Sequence, residues 1–392
     1  MPKKNPTVLI LLDEYSYGGV TSFTSIYAKI LLQSGFEVIV LGFSSDISNI
    51  KQIFPGCVVK VVNHRLGQGL PGRLRSLFPF WRALSAINTE YSISSIHLSL
   101  SWSLIYLSAV PKLWRATRIA TFYGAYDLES ISQKNFLNQK ITTKEKVASI
   151  LRKQLQRMVF NVSDIIIVFS EYALQLLEDH FSKHLTTKTV VIPGMLSEKD
   201  ILKNPIKPIK SQQLTIVNIG RAEPRKGLQL LLEAVALLKK DHLSIRLIIA
   251  SPVDYYLWYN LLYAYQEKNL FLDVHLVHAV NAKQKRILLK MADVFVMPSL
   301  DLETFGLTMI ESLSMGVPVI GTPAGAIPEV LRLIDQRLVA KEISAASLAR
   351  SIKWFYFLSQ KEKFALRKKS LQIVKEHFVT NKYRAQFVAL HS

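Results

Sequence analysis

Two carboxylates and two cations in this sequence are spaced so that they could act together. Glu303 and Glu311 lie eight residues apart in Met297-Pro298-Ser299-Leu300-Asp301-Leu302-Glu303-Thr304-Phe305-Gly306-Leu307-Thr308-Met309-Ile310-Glu311. The flanking apolar runs put Glu303 on a loop after a strand. Gly306, Leu307 and Thr308 then open a helix, and Glu311 follows about one turn later. Glycine lets a ligand approach the backbone, and free N–H groups at a helix start attract phosphate. The two carboxylates could each accept hydroxyls of a polyol. They could equally be an N-terminal charge pair on the helix dipole, and the residues alone leave both readings open.

The cations are Arg221 and Lys226, in Ile219-Gly220-Arg221-Ala222-Glu223-Pro224-Arg225-Lys226-Gly227-Leu228. Pro224 suits the first turn of a helix running to about Lys240, which would place Lys226 in that turn. Both cations would then face the strand's carboxyl end, where a diphosphate could sit. Arginine gives forked contacts and lysine a point charge. Solvated surface charge is the alternative, although the dipole disfavours a cation early in a helix and so favours an anion beside it. Gly18-Gly19-Val20 follows the first strand; by itself Gly-Gly marks only a turn.

Other chemistries lack their residues. There is no G-x-G-x-x-G, Walker A or G-x-S-x-G sequence, and His275 and His278 alone make a poor metal site. The lone cysteine, Cys57, excludes a disulfide framework and fits a reducing cytosol.

These residues need a scaffold, and its period is legible. Apolar runs at 8–12, 37–42, 58–62, 94–98, 118–122, 165–169 and 189–192 read as strands separated by helical patterns. A Pro/Lys-rich, aperiodic stretch at 193–213 reads as a linker, after which the alternation restarts with strands at 214–219, 246–250, 274–277, 293–297 and 317–320. Helices are expected at about 20–34, 254–268, 281–291 and 307–315, and the end, 345–392, as largely helical. The fold class is α/β, with two mainly parallel sheets and a cleft between two lobes.

Composition agrees. The 392 residues are too many for one ordinary core, and at 49% hydrophobic the chain is too apolar for disorder. The formal net charge of +20 is spread over both halves: 22 Lys+Arg against 14 Asp+Glu in 1–200, and 27 against 15 in 201–392. Such a charge calls for nucleic acid, an anionic membrane or a phosphorylated substrate. The Val8–Leu12 run is too short for a signal peptide. The uncharged stretch 91–111 contains seven serines and His97, so it reads as a strand then a helix rather than a membrane span.

Taken in order, these fragments resemble glycosyltransferase family 4, whose members have the GT-B fold of two Rossmann-like lobes. The resemblance rests on Gly18-Gly19-Val20, Ser163–Tyr172, Val191-Ile192-Pro193-Gly194, Gly220-Arg221 with Lys226-Gly227, Ala292–Ser299, Glu303 and Glu311 around Phe305-Gly306, Gly316-Val317-Pro318-Val319, and Gly325-Ala326-Ile327-Pro328-Glu329. It implies an acceptor-binding domain at 1–195, with 373–392 packing back on it, and a nucleotide-sugar-binding domain at 213–372. It implies a retaining transfer of a hexose-type sugar from a nucleotide-diphosphate sugar to a glycan or lipid-linked acceptor, without cofactor or metal, in cell-surface polysaccharide or glycolipid assembly. By similarity, Arg221 and Lys226 would stabilise the leaving diphosphate, Glu303 would hold sugar hydroxyls and Glu311 the donor ribose. Gly19, Gly306, Leu307 and Thr308 would complete the donor site. A sugar phosphorylase, an epimerase of the same fold or a non-catalytic binding protein are the competing readings.

Two positions depart from the family pattern. In Thr121-Phe122-Tyr123-Gly124-Ala125-Tyr126-Asp127, Tyr123 stands where the family often has histidine, with Asp127 as a substitute polar contact. Tyrosine hydrogen-bonds but is neither charged nor a ready base at neutral pH. Ala250-Ser251-Pro252 stands where the family usually has a glycine-rich turn.

Within 70–85, Arg73, Arg75 and Arg82 interleave with Phe78 and Trp81. Residues 60–120 hold eight Lys+Arg and one acid; 134–157 hold seven and one. Basic residues among aromatics suit an anionic lipid surface, while an ordinary core-facing amphipathic helix explains the same pattern. The expectation is a cytoplasmic protein peripheral on the inner membrane face, with no nucleic-acid partner, because no nucleic-acid-binding motif is present.

Overall fold

The computed structural model describes residues 5–14, 18–43, 47–62, 69–99, 107–108, 110–136, 139–206, 213–251, 274–278 and 280–391. Two all-parallel sheets organise the chain. The first contains β1 (Thr7–Glu14), β2 (Glu37–Phe43), β3 (Val58–Val62), β4 (Ile93–Leu98), β5 (Thr117–Thr121), β6 (Ile165–Val168) and β7 (Thr189–Val191), in the order β3-β2-β1-β4-β5-β6-β7. The second contains β8 (Leu214–Ile219), β9 (Ile245–Ser251), β10 (Val274–His278), β11 (Val294–Met297) and β12 (Val319–Gly321), in the order β10-β9-β8-β11-β12. Central strands are apolar on both faces because helices cover both. Val8 to Leu12 are all at most 1% exposed.

The helices used below are α1 (Gly19–Gln33), α2 (Gly69–Glu90), α3 (Tyr126–Phe136), α4 (Thr143–Val162), α5 (Glu171–His180), α6 (Leu228–Lys240), α7 (Ala282–Met291), α8 (Leu307–Ser314), α9 (Ile327–Leu331), α10 (Ala345–Phe357), α11 (Gln360–His377) and α12 (Thr380–Ala389). The apolar stripe of α6, Leu228, Leu231, Leu232, Val235 and Leu238, is buried as its spacing requires. Thr142 with Glu145 and Asn281 with Gln284 form capping boxes that fix where α4 and α7 begin. The helix expected at 254–268 lies outside the described residues, as does the one expected soon after β4.

One expected helix start moves. Pro224–Lys226 is a single 3-10 turn, and α6 begins only after Gly227, which adopts φ 67°. A Cβ on Gly227 would lie 1.9 Å from the carbonyl oxygen of Pro298. The chain is therefore pinched against the β11 loop there, which a continuous helix would not allow.

The two lobes share a continuous core. Phe169 of the first lobe meets Phe305 of the second at a ring-centroid separation of 6.4 Å, and Phe305 meets Phe378 at 5.8 Å. The chain then returns. Val379 bridges Leu196, and α12 packs on α1. The Phe387 ring packs tilted against Tyr27 at a centroid separation of 4.9 Å, while His391 bonds Ser95 Oγ at 2.6 Å and the Tyr27 hydroxyl.

Candidate active site

In open parallel sheets the crevice opens where strand order reverses, at the carboxyl ends of neighbouring strands that lead off in opposite directions. Here those pairs are β1/β4 and β8/β11. Gly19 opens the helix after β1, the loops after β8 and β11 carry Arg221 and Glu303, and Tyr123 follows β5, one strand from the first switch point, so the sequence-selected residues gather at or beside the switch points of both lobes.

At the centre is an ion pair, with Lys226 Nζ 2.6 Å from Glu303 Oε2. Ser299 Oγ donates to the same carboxylate oxygen at 3.1 Å. Glu303 is 6% exposed. Burial alone would push its carboxyl upward, but Lys226, Arg225 and Ser299 outweigh that and hold it below the ordinary glutamate value. The backbone is equally constrained. Leu302 sits at φ 50°, rare outside glycine. The amide of Ala326 donates to the Glu303 carbonyl at 2.8 Å, and a Cβ on Gly325 (φ 56°) would lie 2.2 Å from that oxygen. Leu300 N donates to the Arg225 carbonyl at 2.7 Å, tying this loop to the 3-10 turn that carries Lys226.

Around the pair stand groups that sequence reading left unassigned. Arg225 is buried between Glu223, at 3.2 Å, and Glu129 of α3 in the opposite lobe, at 3.7 Å. Burial raises the Glu129 carboxyl, partly offset by Arg225 and Arg221. Arg221 is exposed at the rim and pairs with Glu223 at 2.6 Å. No spacing rule links Glu129 to Arg225; the closing of the two lobes brings them together.

Gly306, at φ 82°, precedes α8, whose start carries no side-chain cap and no acid in its first turn. The start of α1 is likewise uncapped by a side chain, and a Cβ on Gly19 would come within 3.8 Å of Leu307. Two helix starts without side-chain caps thus lie side by side, both suited to an anion. Thr308 is half-buried in the first turn of α8. One turn along, Glu311 binds Lys285 of α7 at 2.5 Å through Oε1, while its buried Oε2 has no hydrogen-bond partner among the described residues.

On the first lobe the Tyr123 hydroxyl lies 3.3 Å from Thr24 Oγ1, and burial pushes its pKa up to about 12. Its carbonyl accepts from Thr304 Oγ1 across the cleft at 2.9 Å. Asp127 is placed differently from the expectation. It is 4% exposed, with both carboxylate oxygens on His180 Nε2 at 2.9 and 3.0 Å. It ties α3 to α5 and does not join the Glu303 cluster. Of the basic-aromatic residues, Arg75, Phe78 and Arg82 of α2 are exposed and Trp81 is half-buried; the Arg73 side chain lies outside the described part. No helix among the described residues is long and apolar enough to cross a membrane.

Comparison with known proteins adds the lineage. Residues 17–196 match the model described as Glycosyltransferase Family 4, and residues 200–370 match that of glycosyl transferases group 1. The gpi3 subunit of phosphatidylinositol N-acetylglucosaminyltransferase from Schizosaccharomyces pombe is 32% identical over 146 residues, 36% of this chain and 30% of the relative. The chain therefore spans about a third of the length of that curated relative. Sucrose-phosphate synthase from Thermosynechococcus elongatus superimposes with a TM-score of 0.80 at 18% identity, over 99% of this chain and 98% of that one. Anabaena HepE in complex with UDP and glucose gives 0.73 at 15%, over 97% and 98%. With both halves matched in order and the two parallel sheets in place, the chain belongs to glycosyltransferase family 4 and has the GT-B fold.

Proposed function

We propose that this protein is a retaining glycosyltransferase that moves a hexose-type sugar from a nucleotide-diphosphate sugar to a glycan or lipid-linked acceptor, in cell-surface polysaccharide or glycolipid assembly. The observation that carries the reading is the buried Lys226–Glu303 pair on the loops after β8 and β11, with Glu303 three residues before Gly306, where a helix start lies against the uncapped start of α1. In this reading the diphosphate lies against Arg221, Lys226 and the amides of Gly19, Gly306, Leu307 and Thr308. The unpartnered Glu311 oxygen takes the ribose, and Glu303 orients the sugar hydroxyls. The acceptor oxygen bonds to the anomeric carbon as the carbon–oxygen bond to the diphosphate breaks, and the acceptor hydroxyl's proton passes to the departing phosphate oxygen. Negative charge grows on the leaving oxygen, where Lys226 and the helix starts are already oriented. Arg221 and Lys226 fill the neutralising role, so the proposed reaction uses no metal and no cofactor, and a chelator should leave turnover unchanged. Tyr123, kept neutral by burial, donates a hydrogen bond to sugar or acceptor. HepE, solved with UDP and glucose, supports the donor class, and the phosphatidylinositol-modifying relative supports a lipid acceptor. The proposed location is the cytoplasmic face of a membrane with anionic lipid.

The test is a panel of nucleotide sugars incubated with and without an acceptor extract. Release of nucleoside diphosphate together with sugar transfer is expected for one donor. Isomerisation of donor alone would replace this reading with an epimerase, and phosphate-dependent release of sugar phosphate with a phosphorylase.

A further inference from the structure

Helix α4 has two apolar faces, and only one is used. Ser149, Gln156, Val159 and Phe160 are buried against the first sheet. On the opposite side Val147 is 60% exposed, Ile150 62%, Leu151 44% and Met158 52%. At 100° per residue these four project within an arc of about 100°. Among the described residues no packing within the lobe covers this stripe. Its borders are basic: Lys144 lies on one side and Lys146, Lys153 and Arg157 on the other, with exposed Gln154 the one polar residue within the arc between Val147 and Met158, and the helix's one acid, Glu145, is occupied by Lys134 and the helix cap. Helix α2 packs on the same side of the sheet, in one core cluster with α4. It presents Phe78, 72% exposed, with exposed Arg75 and Arg82 on either side in sequence.

We propose that the exposed stripe of α4 is an interfacial membrane contact. It inserts Val147, Ile150, Leu151 and Met158 among the acyl chains of an anionic bilayer while its flanking lysines and arginines hold the headgroups. A flat-lying helix of this kind binds through apolar area and attraction to anionic lipid together. An acidic protein partner would match the charge, but it would leave four adjacent apolar side chains without a use. The site sequence reading favoured, on α2, becomes the lesser contact, since Phe80 is buried in the core and Trp81 is half-buried. The stripe belongs to the lobe proposed to take the acceptor, so it would bring a lipid-borne acceptor to the cleft. The contact itself does not depend on the transfer reaction.

The test is co-sedimentation of the full chain with vesicles of phosphatidylcholine alone and of phosphatidylcholine with phosphatidylglycerol. Binding is expected only to the second. Ile150→Gln with Leu151→Gln, both on the exposed face, should weaken it about tenfold or more. Lys146→Gln with Arg157→Gln should weaken it at low salt. Circular dichroism and donor turnover should match the parent, which separates loss of docking from loss of fold or catalysis. If the apolar double variant fails to fold, Met158→Gln and Val147→Gln carry the same expectation singly. Equal binding by the parent and the apolar variants would overturn the proposal. So would a concentration-dependent dimer that the apolar variants abolish, because a second copy would then be the occupant.

Discussion

The Lys226–Glu303 pair makes unequal demands on its two partners. Glu303 is almost wholly buried while Lys226 is partly open. Removing the lysine leaves a buried carboxylate held by Ser299 Oγ and the more distant Arg225 but without its ion-pair partner, a change worth several kcal/mol in buried pairs. Lys226→Ala should therefore cut kcat about 100-fold or more and also let the Glu303 carboxyl rise. Glu303→Gln should lose turnover to a similar degree while melting near the parent. Steady-state kinetics and thermal melts check both, and near-parent kcat in either variant would sink the assigned roles. Gly227→Ala tests the pinch directly. The new methyl meets the Pro298 carbonyl and φ is wrong for alanine, so a loss of about 2 kcal/mol or more is expected in denaturant titration. Sequence made Glu303, Glu311, Arg221 and Lys226 visible because each lies at a fixed offset from a glycine and a strand end. Lys285 and Glu129 were not, since their partners come from other elements; Ser299 was not, because nothing in the spacing marks a serine four residues before Glu303 as its hydrogen-bond donor. The partner of Asp127 was equally invisible: His180, 53 residues on, meets its carboxylate.

Between elements, the lobes touch through polar contacts that depend on closure. Glu329, just inside α9, accepts from the amides of Glu171 and Tyr172 at 3.0 and 2.7 Å, so one lobe caps a helix of the other. Ser170 Oγ reaches the Thr304 carbonyl at 2.7 Å, and Ser132 reaches Asp301 at 3.3 Å. Glu329→Ala removes a cap worth about 1 kcal/mol. It should raise the donor KM several-fold with little change in melting temperature, and enlarge the radius of gyration in solution scattering. An unchanged KM and radius would remove Glu329 from the closing contacts. Strands and helices were legible because their periods are local. The break at Gly227 was not, because its cause is a carbonyl about 70 residues away in sequence.

At the scale of the whole molecule, the last helix joins the first sheet through buried histidines. His97 is held at about 3 by burial and the nearby His391, and His391 at about 4 by burial, against an ordinary 6.5. Both rings stay neutral in the fold, whereas an unfolded chain binds protons with ordinary affinity. Below about pH 6.5 the unfolded state therefore takes up more protons. Stability present above that pH is lost as pH falls toward 4, at up to about 1.4 kcal/mol per pH unit per histidine. His391→Gln should flatten that slope in urea titrations between pH 6.5 and 4.5; an unaltered slope would acquit His391. The return of the chain has a mechanical side as well. Leu196 and Val379 run side by side, with Leu196 N on the Phe378 carbonyl at 2.9 Å and Thr380 N on the Leu196 carbonyl at 3.1 Å, while Glu198 clasps Thr380 and Asn381. Two crossings laid together act as a piano hinge. Two strands of chain crossing side by side would let the halves swing about that line while resisting sliding or twisting, so the mouth opposite it is where the proposed donor would enter and leave. A protease that severed one crossing would leave a nicked molecule still held by the other.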